Sequence, residues 1–170
     1  MATYGEVTKG EALIAQFLAH KLGSYLFELH PELWTLPEIG AYYDTRTWVS
    51  TRFTNPSGLV IPSQAGIYMF VVAPHSGKLQ DHSYIFYVGK TKNLSSRYED
   101  YLEEQQGRGT NPRENVVLFL HHLQEHVYFH YSLVPESELD NAEKLLKDNL
   151  TPPGNTQKAI IGRLSTGVEA

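Results

Sequence analysis

The sequence predicts an α+β fold: a small three-stranded antiparallel sheet flanked by helices, preceded by an N-terminal helical extension. Three observations carry that prediction. Two apolar, β-rich runs, 66–73 and 84–88, stand either side of a polar stretch, as in an antiparallel hairpin with a long loop. Val127, Phe129, Tyr131 and Leu133 alternate as a third strand. Segments of helical periodicity lie between and after these runs, giving the order β-β-α-α-β-α from residue 65 onward.

Each element has its own signal. Thr8 and Glu11 have the spacing of a capping box, and Leu13, Ile14, Phe17, Leu18, Leu22, Tyr25 and Leu26 follow at helical spacing. Pro31, Pro37, Gly40, Pro56, Gly58 and Pro62 then break the chain, with room for a short strand in 42–53. Residues 1–64 therefore read as an extension packed on a main domain of 65–155, with 156–170 a C-terminal tail. Within the main domain Gly89 opens a turn and Asn93 caps a helix that carries Leu94, Arg97, Tyr98, Tyr101 and Leu102 on one face. A second helix starts at Pro112 or Arg113 and carries Val116, Val117, Leu120 and Leu123. After the third strand, Ser137 and Asp140 form another capping box, opening a helix through Leu150 that Pro152 and Pro153 stop.

Composition bounds the function. A chain of 170 residues with 41% hydrophobic and 12% aromatic residues can bury a core, which excludes a disordered chain. It has no run of 18 apolar residues for a membrane span and no basic-then-apolar leader, so a soluble intracellular protein of the cytoplasm is expected. With no cysteine there are no disulfides, thiolate zinc sites or cysteine nucleophiles. The formal net charge is −5, from 14 Lys plus Arg against 19 Asp plus Glu, so any contact with a polyanion must come from a local basic patch.

The informative anomaly is Glu143. It sits four residues after Leu139 and three before Leu146, within or beside the apolar stripe of the last helix. A carboxylate there is either paired or bound to a cation, or its tip reaches Lys147 and solvent.

Gly66-Ile67-Tyr68 and Tyr87-Val88-Gly89 resemble the two-strand signature of the GIY-YIG nuclease superfamily. Lys90 directly follows the second triplet, Arg97 lies ten residues after Tyr87, and Tyr101 four after Arg97. Glu143 is in the last helix, and Asn155 follows it by twelve residues. The resemblance spans 65–155 and implies that Tyr68, Tyr87, Lys90, Arg97, Tyr101, Glu143 and Asn155 are the catalytic set. It implies a metal-dependent endonuclease that hydrolyses DNA phosphodiester bonds by a one-metal mechanism, with Mg²⁺ or Mn²⁺ on Glu143 as the only protein ligand. Tyr87 is then the general base, with Lys90 stabilising its phenolate, and Tyr68 positions the water or the phosphate. Arg97 and Tyr101 meet the phosphate, and Asn155 holds the geometry. DNA contacts are expected from Lys90, Lys92, Arg97, Arg108 and Arg113, on the expectation that Glu99, Asp100, Glu103 and Glu104 fall largely on other helix faces.

Two features depart from the family plan. The connection between the two strands is longer than the family's usual one, and it carries His75, Lys78 and His82. Residues 66–155 hold 8 Lys plus Arg against 12 Asp plus Glu, so DNA binding should be weak, salt-sensitive and dependent on a protein partner or homodimer. The acidic balance also suits a second function class, a catalytically silent GIY-YIG-fold binding module acting through a protein partner. A third, the H-x-x-E-H string of inverted zinc peptidases at His122, Glu125 and His126, needs one continuous helix there.

Overall fold

The computed structural model describes residues 36–54, 58, 60–74, 83–109 and 112–155. The expected helix over 8–26, the long loop with His75, Lys78 and His82, and the 156–170 tail lie outside the described residues.

Helix α1 (Pro37–Asp44) opens on a proline, whose fixed φ and missing N–H suit a first helical turn. It leads to strand β1 (Val49–Arg52), then β2 (Gly66–Val72) and β3 (Tyr84–Thr91). Helices α2 (Leu94–Gln105) and α3 (Glu114–Leu123) follow, then strand β4 (Val127–Leu133) and helix α4 (Leu139–Leu150). All strand pairs are antiparallel, in the order β1-β4-β2-β3. The α+β class and the β2–β3 hairpin are as expected from sequence, and among the described residues no helix is long and apolar enough to cross a membrane.

Among the described residues the sheet has four strands rather than three. Residues 49–52 pair with β4, Val49 opposite Tyr131 and Arg52 opposite Tyr128, and Phe53 N–H continues the ladder to the Val127 carbonyl at 2.9 Å. Only Val49, Thr51 and Phe53 turn toward the core. Four residues, one of them a threonine, leave too few alternations for a period to show.

Helices cover both faces of the sheet. On one, Tyr68, Phe70, Tyr87, Phe129 and Tyr131 pack against Leu94, Tyr98 and Tyr101 of α2 and Val116, Phe119 and Leu120 of α3. On the other, Ile67, Met69, Val71 and Val88 pack against Tyr42 of α1 and Leu139, Ala142 and Leu146 of α4. Residues 94, 98 and 101 recur at helical spacing, which is why α2 presents one aromatic face. Asn93 caps that helix, its Oδ1 accepting from the Ser96 N–H at 3.0 Å.

Two local expectations are corrected. Ser137 does not cap α4: it lies in a 3₁₀ turn (Glu136–Glu138), and Glu138 precedes the helix with no side-chain cap. Gly89 is within β3, paired with Tyr68, and the turn comes only after Thr91. Strand β3 also holds a bulge that the alternation hides. Phe70 faces Tyr87 while Val71 faces Ile85, which leaves Phe86 as the extra residue.

Phe86 is wholly buried against Phe119, and its carbonyl accepts from the Gly154 N–H at 2.8 Å. Phe86→Ala should therefore empty a core position and loosen the bulge together. We expect a loss of about 3–5 kcal/mol in denaturant unfolding.

Candidate active site

Tyr68 begins the site. On β2 it faces Gly89 of β3, and a Cβ at Gly89 would lie 2.4 Å from its ring and hydroxyl. The missing side chain lets the phenol lie flat across β3. Gly66 has the same kind of reason, since a Cβ there would meet the Ser132 carbonyl at 2.6 Å and Leu94 at 2.7 Å. The Tyr68 ring stacks on Phe129 at 5.4 Å, and its hydroxyl meets the Tyr101 hydroxyl at 3.0 Å.

Arg97, one turn before Tyr101 on α2, closes the group. Its Nε donates to the Tyr68 hydroxyl at 3.4 Å, its guanidinium lies 4.0 Å over the Tyr101 ring, and one terminal nitrogen donates to Asp100 at 3.1 Å. Arg113, just before α3, reaches the Tyr101 hydroxyl at 3.4 Å and lies 5.6 Å from the Tyr87 ring centre. Tyr68 and Tyr101 are wholly buried and Tyr87 nearly so, whereas Arg113 is exposed. Burial pushes the Tyr101 phenol well above its ordinary pKa; Tyr68 adds to that and Arg97 offsets part of it. Burial works against the Arg97 charge, and Tyr101 and Tyr68 outweigh it, so the guanidinium stays protonated.

Three of the four acids of α2, Asp100, Glu103 and Glu104, are not on other faces but line the Arg97 side. Arg97, Asp100 and Glu104 follow the helical repeat and share one side, Glu104 Oε1 lying 3.5 Å from Arg97. A cavity of 330 Å³ opens there, lined by Arg97, Asp100, Glu103, Glu104, Arg108, Gly109 and Arg113. Burial raises the Glu104 pKa, with Arg97 countering.

Lys90 is elsewhere. It follows Gly89 on β3, so strand alternation sends it to the opposite face from Tyr87. There its ammonium meets Glu143 Oε2 at 2.9 Å and Asp140 Oδ1 at 2.5 Å. These hydrogen bonds, first to Asp140 and then to Glu143, raise the Lys90 pKa and lower that of Asp140. Glu143 thus pairs with Lys90 across to the sheet, and its side chain is only 18% exposed. Lys92 pairs with Glu136 at 2.8 Å.

Asn155 clamps the edge strand. Its Oδ1 accepts from the Val88 N–H and its Nδ2 donates to the Val88 carbonyl, both at 2.7 Å. The side-chain amide does there what a neighbouring strand's peptide would do.

Two groups result. Tyr68, Tyr87, Arg97 and Tyr101 are together on the α2 face, with Arg108 and Arg113 on the adjoining cavity. Lys90 and Glu143 are together on the α4 face, and Lys92 is tied to the turn before α4. The expected contact of Lys90 with Tyr87 is absent, and Arg113 is the cation beside that ring. Sequence reading missed Asp140, Glu104 and the place of Arg113. Asp140 is three residues before Glu143, a helical spacing that could have found it; Arg113 comes from a separate helix and had no such signal.

The donors at Lys90 are carboxylate oxygens without His or Cys, which suits a hard ion such as Mg²⁺. Among the described residues, no group of three or more His, Asp or Glu gathers at one point. The H-x-x-E-H string is broken: α3 ends at Leu123 and a 3₁₀ turn (Gln124–His126) follows. His130 of β4 bonds Ser50 Oγ at 3.0 Å, and burial lowers its pKa to about 4.

Among solved structures, the chain is similar to the N-terminal GIY-YIG endonuclease domain of UvrC from Thermotoga maritima. One point-mutant form, bound to the catalytic divalent cation, has 24% identity over 58% of this chain and 90% of that one, with a TM-score of 0.37. Another has 22% identity with a TM-score of 0.38, and the magnesium-bound form 25% with 0.37. No protein-family model and no curated protein matches the sequence.

Two outcomes test the packing of this site. Gly89→Ala should cost about 1–3 kcal/mol in unfolding, because the new methyl displaces the Tyr68 ring. Glu104→Gln tests the buried carboxylate. With its folded pKa above the ordinary 4.5, ionised Glu104 penalises the folded state once the pH rises through that folded value, and not below 4.5. The stability of Glu104→Gln relative to the parent should therefore be greater at about pH 8 than at about pH 4, measured by urea unfolding at both.

Proposed function

We propose that the protein is a divalent-metal-dependent endonuclease that hydrolyses DNA phosphodiester bonds by the one-metal chemistry that its GIY-YIG resemblance implies. One observation carries the reading: the Arg97 guanidinium is held by Tyr68, Tyr101 and Asp100 at the mouth of a cavity that Arg113 and Arg108 share. A guanidinium fixed in this way presents its remaining donors in one orientation, which is what a phosphoryl group needs as charge develops on its oxygens.

The remaining roles follow from burial and neighbours. Tyr68 and Tyr101 are wholly buried and act through Arg97, as positioning residues. Tyr87 is the group to accept a proton from water, with Arg113 rather than Lys90 as the cation favouring its phenolate. Glu143, with Asp140 one turn earlier, would hold Mg²⁺ or Mn²⁺, and Lys90 balances the two carboxylates. When bound, the ion would supply Lewis-acid neutralisation to a phosphate lying across the end of β3, the last strand of the described sheet, where groups from its two faces can both reach it. Asn155 holds β3, the strand of both Tyr87 and Lys90.

Internal charge pairing favours a second reading. Arg97 is matched by Asp100 and Glu104, Lys90 by Asp140 and Glu143, and Lys92 by Glu136. A surface neutralised within itself suits a catalytically silent module that acts through a protein partner.

Cleavage of supercoiled plasmid and of branched or flapped duplexes, at low salt with Mg²⁺ or Mn²⁺, separates the two. The nuclease reading expects nicking by the parent and none by Glu143→Ala, with unchanged unfolding. It also expects Arg97→Ala to slow nicking by about 100-fold or more. Folded parent protein that nicks none of these substrates overturns it in favour of the module.

A further inference from the structure

The cavity beside Arg97 contains one feature that hydrolysis does not use. Glu104 is only 5% exposed, yet its Oε2 has no hydrogen-bond partner among the described residues. The other oxygen, Oε1, is 3.5 Å from Arg97. A buried carboxylate oxygen left without a donor is costly, and native structures rarely keep one. Gly109 closes the cavity beside it, where a Cβ would stand 2.6 Å from Glu104 Cγ. The wall of this 330 Å³ space thus combines three guanidinium groups with the carboxylates of Asp100, Glu103 and Glu104, and one Glu104 oxygen lacks a donor.

Those two features call for one ligand with two ends. The arginines take an anion, with Arg108 and Arg113 exposed at the rim. The Glu104 oxygen takes an N–H. The volume falls at the low end of small-molecule sites, about 300–1,000 Å³, and admits a single small unit. We infer that this cavity binds one unstacked nucleotide, its phosphate among Arg97, Arg108 and Arg113 and the amino group of its base on Glu104. A carboxylate accepts from an exocyclic amino group, as with cytosine N4. It disfavours thymine, whose one ring N–H lies between two carbonyl oxygens. Enzymes that act on nucleic acids hold extruded bases by such edge contacts. The inference deepens the nuclease reading and rests on it for the ligand's being a nucleotide; it makes the preferred substrate one with an unpaired, amino-bearing base next to the cut.

The test is titration of the full chain, followed by NMR or calorimetry, in EDTA at low salt so that no hydrolysis enters. The probes are the deoxynucleoside 5′-monophosphates of cytosine, guanine, adenine and thymine, and inorganic phosphate. At least one amino-bearing nucleotide should bind about tenfold or more tighter than the thymine nucleotide and than phosphate. Arg108→Ala should weaken every nucleotide, and Glu104→Gln should bring the bases to within about twofold of one another. Equal binding of all probes, phosphate included, would reduce the site to an anion site and overturn the inference, as would no binding at all. A base preference that survives Glu104→Gln overturns it too. Failure of plasmid nicking with intact base-selective binding would instead overturn the nuclease reading alone.

Discussion

The site depends on one steric allowance, the missing side chain at Gly89. Antiparallel pairing sets Tyr68 opposite that glycine, and only there can the phenol lie across the neighbouring strand. Its hydroxyl then ends in a buried region where it needs partners, and Tyr101 and Arg97 supply them. Arg97 in turn is laid over the Tyr101 ring. Register, aromatic packing and the placement of a cation are thus one constraint expressed three times.

The sheet also separates two kinds of electrostatics. On the α2 face the charges are attached to buried aromatic rings, and their positions are set by packing. On the α4 face Lys90, Asp140 and Glu143 form a pairing at the margin of the apolar stripe, where solvent still reaches Asp140. The solvent-exposed Lys90–Asp140 pair contributes little to stability, so Asp140 can turn toward an incoming charge more cheaply than any member of the α2 group.

Much of this was legible from the sequence, for physical reasons. The hairpin, β4, α2, α3 and α4 announce themselves because each has enough residues for its period to appear. The two glycines and the ordered polar positions of 65–155 could be picked out by their order and spacing, through the resemblance to the GIY-YIG signature, although each residue type is ordinary for its place. What was hidden depends on contacts between distant segments. β1 is too short to show alternation, and the bulge at Phe86 shifts the register without changing composition. Strand alternation alone would have warned that Tyr87 and Lys90, three residues apart, face opposite ways. Glu104 reads as one more helix-surface acid until Gly109 packs against it.

The Asn155 clamp has a consequence for how copies of this chain meet. Among the described residues β3 ends the sheet, and an end strand with unpaired peptide groups is a template on which another chain can extend the ladder. At Val88 both groups are already taken by a side chain, and at Phe86 the carbonyl is taken by Gly154. A visiting strand would find no continuous row to pair with along the middle of β3. The same two residues that fix the strand thereby guard it against aggregation.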